Sequence, residues 1–239
     1  RELDRTIGIS TSAENLRNML ESDFSERVNP VQAYFRKLPP ATGTQAIDEL
    51  AATVTVRNAL HWSEYLTKWL VGVVANAMND IGCQNHVCLV LTGEQGKFKT
   101  TWLDNLCPRA LASYLFTGKI DPQNKDVLTL VAEYLFINID DQLKALNKRD
   151  ENELKNLITA PSVKYRRPYD VYIEEYPHLA SFIASVNGND FLTDPTGSRR
   201  FLPFEVLSID IDRAIWVDMD RVYAESRTLL NNGFRYWCS

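Results

Sequence analysis

Lys99 and Thr100 stand side by side after a glycine-bearing stretch, Gly93-Glu94-Gln95-Gly96-Lys97-Phe98. An ammonium and a hydroxyl in that order suit a polyphosphate and its divalent cation. Lys99 would reach the β- and γ-phosphates and Thr100 would hold Mg²⁺, while the loop N–H groups present positive partial charge. Asp140 and Asp141 supply adjacent carboxylates, one for the Mg²⁺ shell and one for an attacking water. Asn187 adds an amide able to orient that water or sense the γ-phosphate. Arg199 and Arg200 could stabilise spread transition-state charge, or serve equally as structural ion-pair donors. Each group also has a plain structural reading, as a strand–turn–helix corner, a solvated acidic turn or a surface ion pair.

The surrounding elements decide between these readings. Val87 to Leu91 is an unbroken apolar run, which predicts a fully buried strand leading into the loop. Trp102, Leu103 and Leu106 then recur at helical spacing. Tyr134 to Asp141 predicts a second buried strand ending in the two acids, and His178 to Val186 a third that delivers Asn187. Phe201 to Leu207 predicts a fourth, entered through a turn carrying the arginines. Helices are predicted over Thr44–Thr55, Leu60–Ile81 (closed by Gly82), Lys125–Glu133, Asp150–Ile158 and Asp212–Leu230. Two short amphipathic helices are expected earlier, one after Ser12 through Phe24 and one from Asn29-Pro30 through Phe35.

Phe98 occupies the place where glycine is usual before Lys-Thr. It fits a phosphate loop only if its φ stays negative and its ring turns away from the nucleotide.

The 239 residues allow one or two domains, and the net charge of −5 gives no global basic footprint. The composition is that of a soluble globular protein, with neither a membrane span nor a signal peptide in the sequence. Four cysteines do not make a disulfide framework, so buried thiols in a reducing cytoplasm are expected. The beginning at Arg1 and the abrupt end at Ser239 suggest a piece of a longer protein. Lys164, Tyr165, Arg166 and Arg167, with Tyr169, form the clearest basic–aromatic cluster, on a predicted hairpin or extended loop. Such a cluster suits a phosphodiester backbone and stacked bases. A surface hairpin paired through Glu174 and Glu175 explains it equally well.

The order GEQGKFKTT, INIDD, VKYRRPY and SFIASVNGNDFLTDPTGSRRFLPFEV resembles the virulence-associated E family. That family groups P-loop ATPases related to superfamily-three helicases within the AAA+ class, often found on phages and mobile elements. The likeness covers residues 86–206, and FLTDPTGSRRF is its most specific piece. It implies a nucleotide-cradling loop of Gly93, Glu94, Gln95, Gly96, Lys97, Phe98, Lys99, Thr100 and Thr101. It also implies Walker B acids at Asp140 and Asp141, a sensor at Asn187 and a finger at Arg199 or Arg200 acting on a neighbouring subunit. Lys164, Arg166 and Arg167 fall where the helicases place a DNA-contacting hairpin. Two departures, Phe98 for glycine and Asp141 for the common hydrolytic glutamate, imply weakened nucleotide affinity and slow or abolished turnover.

The expected fold is α/β, a mainly parallel sheet flanked by helices. A helical region over 1–84, an ATPase core over 85–208 and a C-terminal helix over 209–239 are expected. ATP and Mg²⁺ are the expected cofactors. A ring-like homo-oligomer and single-stranded DNA are the expected partners, with no membrane. The alternative is a degenerate scaffold that binds nucleic acid or a protein without hydrolysis.

Overall fold

The computed structural model describes residues 11–22, 28–41, 43, 45–167, 172–188 and 198–237. Eight strands are described: β1 (Val54–Val56), β2 (Cys88–Gly93), β3 (Leu115–Gly118), β4 (Phe136–Asp140), β5 (Ser162–Tyr165), β6 (Glu174–Pro177), β7 (Ser181–Asn187) and β8 (Phe201–Ile209). Six of them form one sheet in the order β1-β8-β2-β7-β4-β3. The five from β8 to β3 run parallel, and β1 joins the β8 edge antiparallel. Every residue of β2 is buried, as its unbroken apolar run requires.

Helices cover both faces. Helix α1 (Ala13–Glu21) is capped by the Ser12 hydroxyl, and α2 (Pro30–Lys37) by the Asn29 side chain ahead of Pro30. On one face, α2, α3 (Ala46–Ala51), α4 (Trp62–Ala77) and α5 (Lys99–Asp104) pack with Leu89, Leu91, Phe136 and Ile183 of the sheet. The C-terminal helix α9 (Met219–Asn231) closes the same core through Val222 and Tyr223. On the other face, α6 (Asp126–Glu133) and α7 (Lys148–Thr159) cover Val90, Ile137, Ile139, Phe182 and Ala184. The result is a three-layer α/β/α arrangement of the expected class.

Several boundaries differ from the sequence reading. The predicted helix over Thr44–Thr55 stops at Ala51, and Val54–Val56 is a strand. Its β-branched residues suit the edge position against Val206–Ile209. The long helix begins at Trp62 and ends at Ala77, with Met78 as its cap; Gly82 lies beyond it at φ 77°. The tail helix divides into α8 (Ile211–Ala214) and α9, because Asp218 caps a fresh start by accepting from Asp220 and Arg221 N–H. Strand β3 was not anticipated. The 163–175 segment is an antiparallel pair of β5 and β6, and its centre at 168–171 lies outside the described residues, as does Phe24.

Two side chains of α9 join the chain's two ends. Buried Glu225 accepts from the N–H groups of Ala46 and Ile47 at the start of α3. Arg227 donates to the carbonyls of Phe35, Arg36 and Leu38 at the end of α2. One helix thus satisfies orphan groups at the termini of two others.

Candidate functional site

Parallel register brings the chemical residues to one end of the sheet. Gly93 ends β2 opposite Asn187 at the end of β7, and Asp140 ends β4 opposite Ser185. Residues 95–101, Asp140, Asp141, Ser185 and Asn187 line one cleft there. Ligands of open α/β sheets bind in this place, outside the carboxyl ends of the strands.

The loop keeps tight geometry. Gly93 has φ 130°, and a Cβ there would stand 2.7 Å from the Val206 carbonyl oxygen, so only glycine fits. Its own carbonyl accepts from Gly188 N–H at 2.8 Å. Phe98 overturns the expectation of a negative φ: it adopts φ 59°, ψ 22°, the left-handed conformation. The backbone therefore follows the path a glycine would take, at a cost of roughly 1–2 kcal/mol for a side chain there. The ring is 54% exposed and does not fill the core. Glu94 projects into solvent, its carboxylate 3.6 Å from Lys97.

Lys99 is 5% exposed. Its ammonium donates to the carbonyls of Gly93 and Glu94, at 3.1 and 2.6 Å, and to Asn187 Oδ1 at 3.2 Å. Burial holds its pKa below the ordinary lysine value, against the opposing pull of Asp141 and then Asp140. Thr100 Oγ1 donates to Asp140 Oδ1 at 2.8 Å, and Ser185 Oγ donates to the same oxygen at 2.7 Å. Thr100 and Ser185 hydroxyls are themselves 3.0 Å apart. Asp141 also has positive φ, 47°, and its Oδ1 accepts from Asn187 N–H at 3.2 Å. Two hydroxyls and a carboxylate converging on one point form a hard-oxygen set that suits Mg²⁺.

Ser185 was not anticipated as part of the site. The signal was available: it lies two residues before Asn187, so strand alternation places both on the same face.

The arginines lie elsewhere. Ser198–Arg200 forms a short turn just before β8, and Phe201 pairs with Cys88 at the opposite end of β2 from Gly93. Five residues of strand put them roughly 17 Å from the loop. They do not reach this chain's own cleft along the sheet.

The basic hairpin is largely neutralised. Lys164 pairs with Glu175 at 3.3 Å, and Arg167 lies 3.6 Å from Glu133 and over the Tyr176 ring. Tyr165 is 7% exposed and donates to Glu133, so its face is committed to packing. Arg166 is exposed. Tyr169 lies outside the described residues.

The three described cysteines are buried. Burial pushes Cys83 up to about 11 and Cys107 to about 12, which leaves them protonated and unreactive near neutral pH. Among the described residues, no helix is long and apolar enough to cross a membrane.

Among solved structures, the chain is similar to the apo structure of the NrS-1 C terminal region (305-718). The TM-score is 0.55 at 15% identity, covering 85% of this chain and 48% of that one. An A form apo structure of the same region gives a TM-score of 0.54 at 16% identity, with the same coverage of 85% and 48%. The chain thus spans about half the length of these structures, and at such identity the likeness is one of fold. No curated relative matches the chain. The virulence-associated protein E-like domain matches residues 37–239. The chain belongs to the virulence-associated protein E-like domain family.

Proposed function

We propose that the chain binds ATP with Mg²⁺ at this cleft, hydrolyses it, and acts as a helicase- or translocase-like module on DNA. The observation that carries the reading is the convergence of Lys99, Thr100, Asp140, Ser185 and Asn187 at the ends of three adjacent parallel strands. Family membership and the shared fold support it.

The residues fit the roles. Thr100 and Asp140 would hold Mg²⁺, which supplies charge neutralisation on the phosphates. Lys99, whose ammonium rests on two loop carbonyls and Asn187 Oδ1, exchanges those contacts for phosphate oxygens. The Phe98 peptide keeps the loop open by its left-handed turn. Asp141 accepts the proton of a water positioned with the help of Asn187, which lies against it. Arg199 or Arg200 acts on the nucleotide of an adjacent copy, since neither reaches its own cleft along the sheet. Single-stranded DNA is the proposed nucleic acid. Within the hairpin, Arg166 is the basic side chain for which no acid pairs among the described residues.

The test is phosphate release from ATP with Mg²⁺, with and without single-stranded DNA, for wild type and Asn187→Ala. Turnover stimulated by DNA and strongly reduced in the variant supports the reading. DNA binding that ignores ATP, with no phosphate release, returns the chain to a non-hydrolysing scaffold.

A further inference from the structure

Lys144 lies three residues beyond Asp141, in the short turn Leu143–Ala145. It is exposed, and its ammonium makes no hydrogen bond or ion pair among the described residues. Its side chain runs to the backbone of Gly188, the residue after the cleft-lining Asn187. Its Nζ lies 2.8 Å from where a Cβ on Gly188 would begin. Gly188 follows Asn187, the partner of the Lys99 ammonium, and its N–H is bonded to Gly93 at the start of the loop. The Lys144 ammonium therefore lies against the strand end that holds the loop and the Lys99 contact.

The two lysines approach that strand end from opposite sides of the sheet. Leu143 anchors the Lys144 turn in the layer built by α6 and α7. The helix bearing Lys99 packs in the other layer through Trp102 and Leu103. A diphosphate cradled by the loop would end near Lys99. A third phosphate held by Lys99 beside Asn187 and Asp141 would add negative charge near a lysine that no acid pairs among the described residues. A lysine stem is long and flexible enough to close a gap of a few ångströms, and the missing side chain at Gly188 leaves it room.

We propose that Lys144 contacts the terminal phosphate of a bound nucleoside triphosphate and makes the site prefer triphosphate over diphosphate. This rests on the nucleotide reading given above. The test is competition of ATP and of ADP, each with Mg²⁺, against a fluorescent nucleotide, for wild type, Lys144→Met and Lys144→Arg. The expected result is a loss of ATP affinity of about tenfold or more in Lys144→Met with ADP nearly unchanged, and substantial recovery in Lys144→Arg. Equal loss for both nucleotides, or loss for neither, overturns the proposal. So does an unchanged ATP-to-ADP ratio with weakened single-stranded DNA binding, which would assign Lys144 to the nucleic acid. A wild-type chain that binds neither nucleotide overturns the underlying reading instead, and that failure is distinguishable because it precedes any effect of the variant.

Discussion

Thr100 Oγ1 donates to Asp140 Oδ1 at 2.8 Å across forty residues of sequence. The pair joins the first turn after the loop to the end of a strand two positions away in the sheet. Replacing Thr100 by Ala or Asp140 by Asn should lower turnover by about a hundredfold or more, with the Mg²⁺ requirement shifted to higher concentration. A Mg²⁺ titration of phosphate release measures it. Loss of turnover at an unchanged Mg²⁺ midpoint would remove both residues from the cation shell.

Phe98 should be better replaced by glycine than by most residues. Glycine removes the left-handed strain of roughly 1–2 kcal/mol but adds unfolded-state freedom worth about 0.5–1 kcal/mol. Urea unfolding should therefore show Phe98→Gly equal to or slightly more stable than wild type, and Phe98→Val less stable. A clear loss in Phe98→Gly would mean that the exposed ring packs against something that the left-handed turn alone does not explain.

Glu225 gives a stability prediction with a pH sign. Its carboxyl pKa is raised by burial, which outweighs the N–H donors of Ile47 and Ala46. The folded chain therefore holds the proton more tightly than the unfolded chain. That contribution is complete below the ordinary carboxyl range and is lost as pH rises through the raised value. Glu225→Gln retains an acceptor without the charge, so it should match or exceed wild-type stability near neutral pH, with the difference shrinking below about pH 4. Glu225→Ala strands two buried N–H groups and should cost about 1–3 kcal/mol. A Gln variant as damaged as the Ala variant would show that the anion is what caps α3.

His178 contributes the opposite slope. It is fully buried between the carbonyls of Ala160 and Ala180, each 2.8 Å from a ring nitrogen. Burial lowers its pKa although both carbonyls favour the cation. With the folded value depressed, its contribution is present above the ordinary imidazole value of about 6.5 and is lost as pH falls below it. Unfolding midpoints should drop as pH falls below about 6.5 in wild type, and less steeply in His178→Gln. An unchanged acid limb in the variant would place the titration elsewhere.

Arg199 and Arg200 make a prediction about assembly. Arg200→Ala and Lys99→Ala chains should each be inactive alone, yet a mixture should regain part of the turnover, because some interfaces pair an intact cleft with an intact arginine. Specific activity should also rise with protein concentration. A mixture as inactive as its parts, with wild-type activity independent of concentration, would assign the arginines to structure.

The parts of the molecule that the sequence revealed are those where one local rule governs. The apolar run Val87–Leu91 gave a central strand, and Asn29-Pro30 gave a capped helix start. Strand ends carrying Lys-Thr, two acids and an amide converged because parallel strands share an end. What escaped depends on distant partners. Val54–Val56 becomes a strand only because β8, paired with β2 on one side, leaves its other edge to pair. Pairing of Lys164 with Glu175 was one of two readings the hairpin allowed, but Glu133, which neutralises Arg167, lies on a different element. The Phe98 expectation failed because steric preference was applied to one residue while the loop's anchors, Gly93 and Lys99, fix the path around it.

The most direct measurement is calorimetric titration of ATP with Mg²⁺ into wild type and Lys99→Ala, with and without single-stranded DNA. Saturable binding in wild type that vanishes in Lys99→Ala is the predicted result. Absence of binding by wild type under both conditions, or equal binding by the two chains, would contradict a nucleotide site at this cleft.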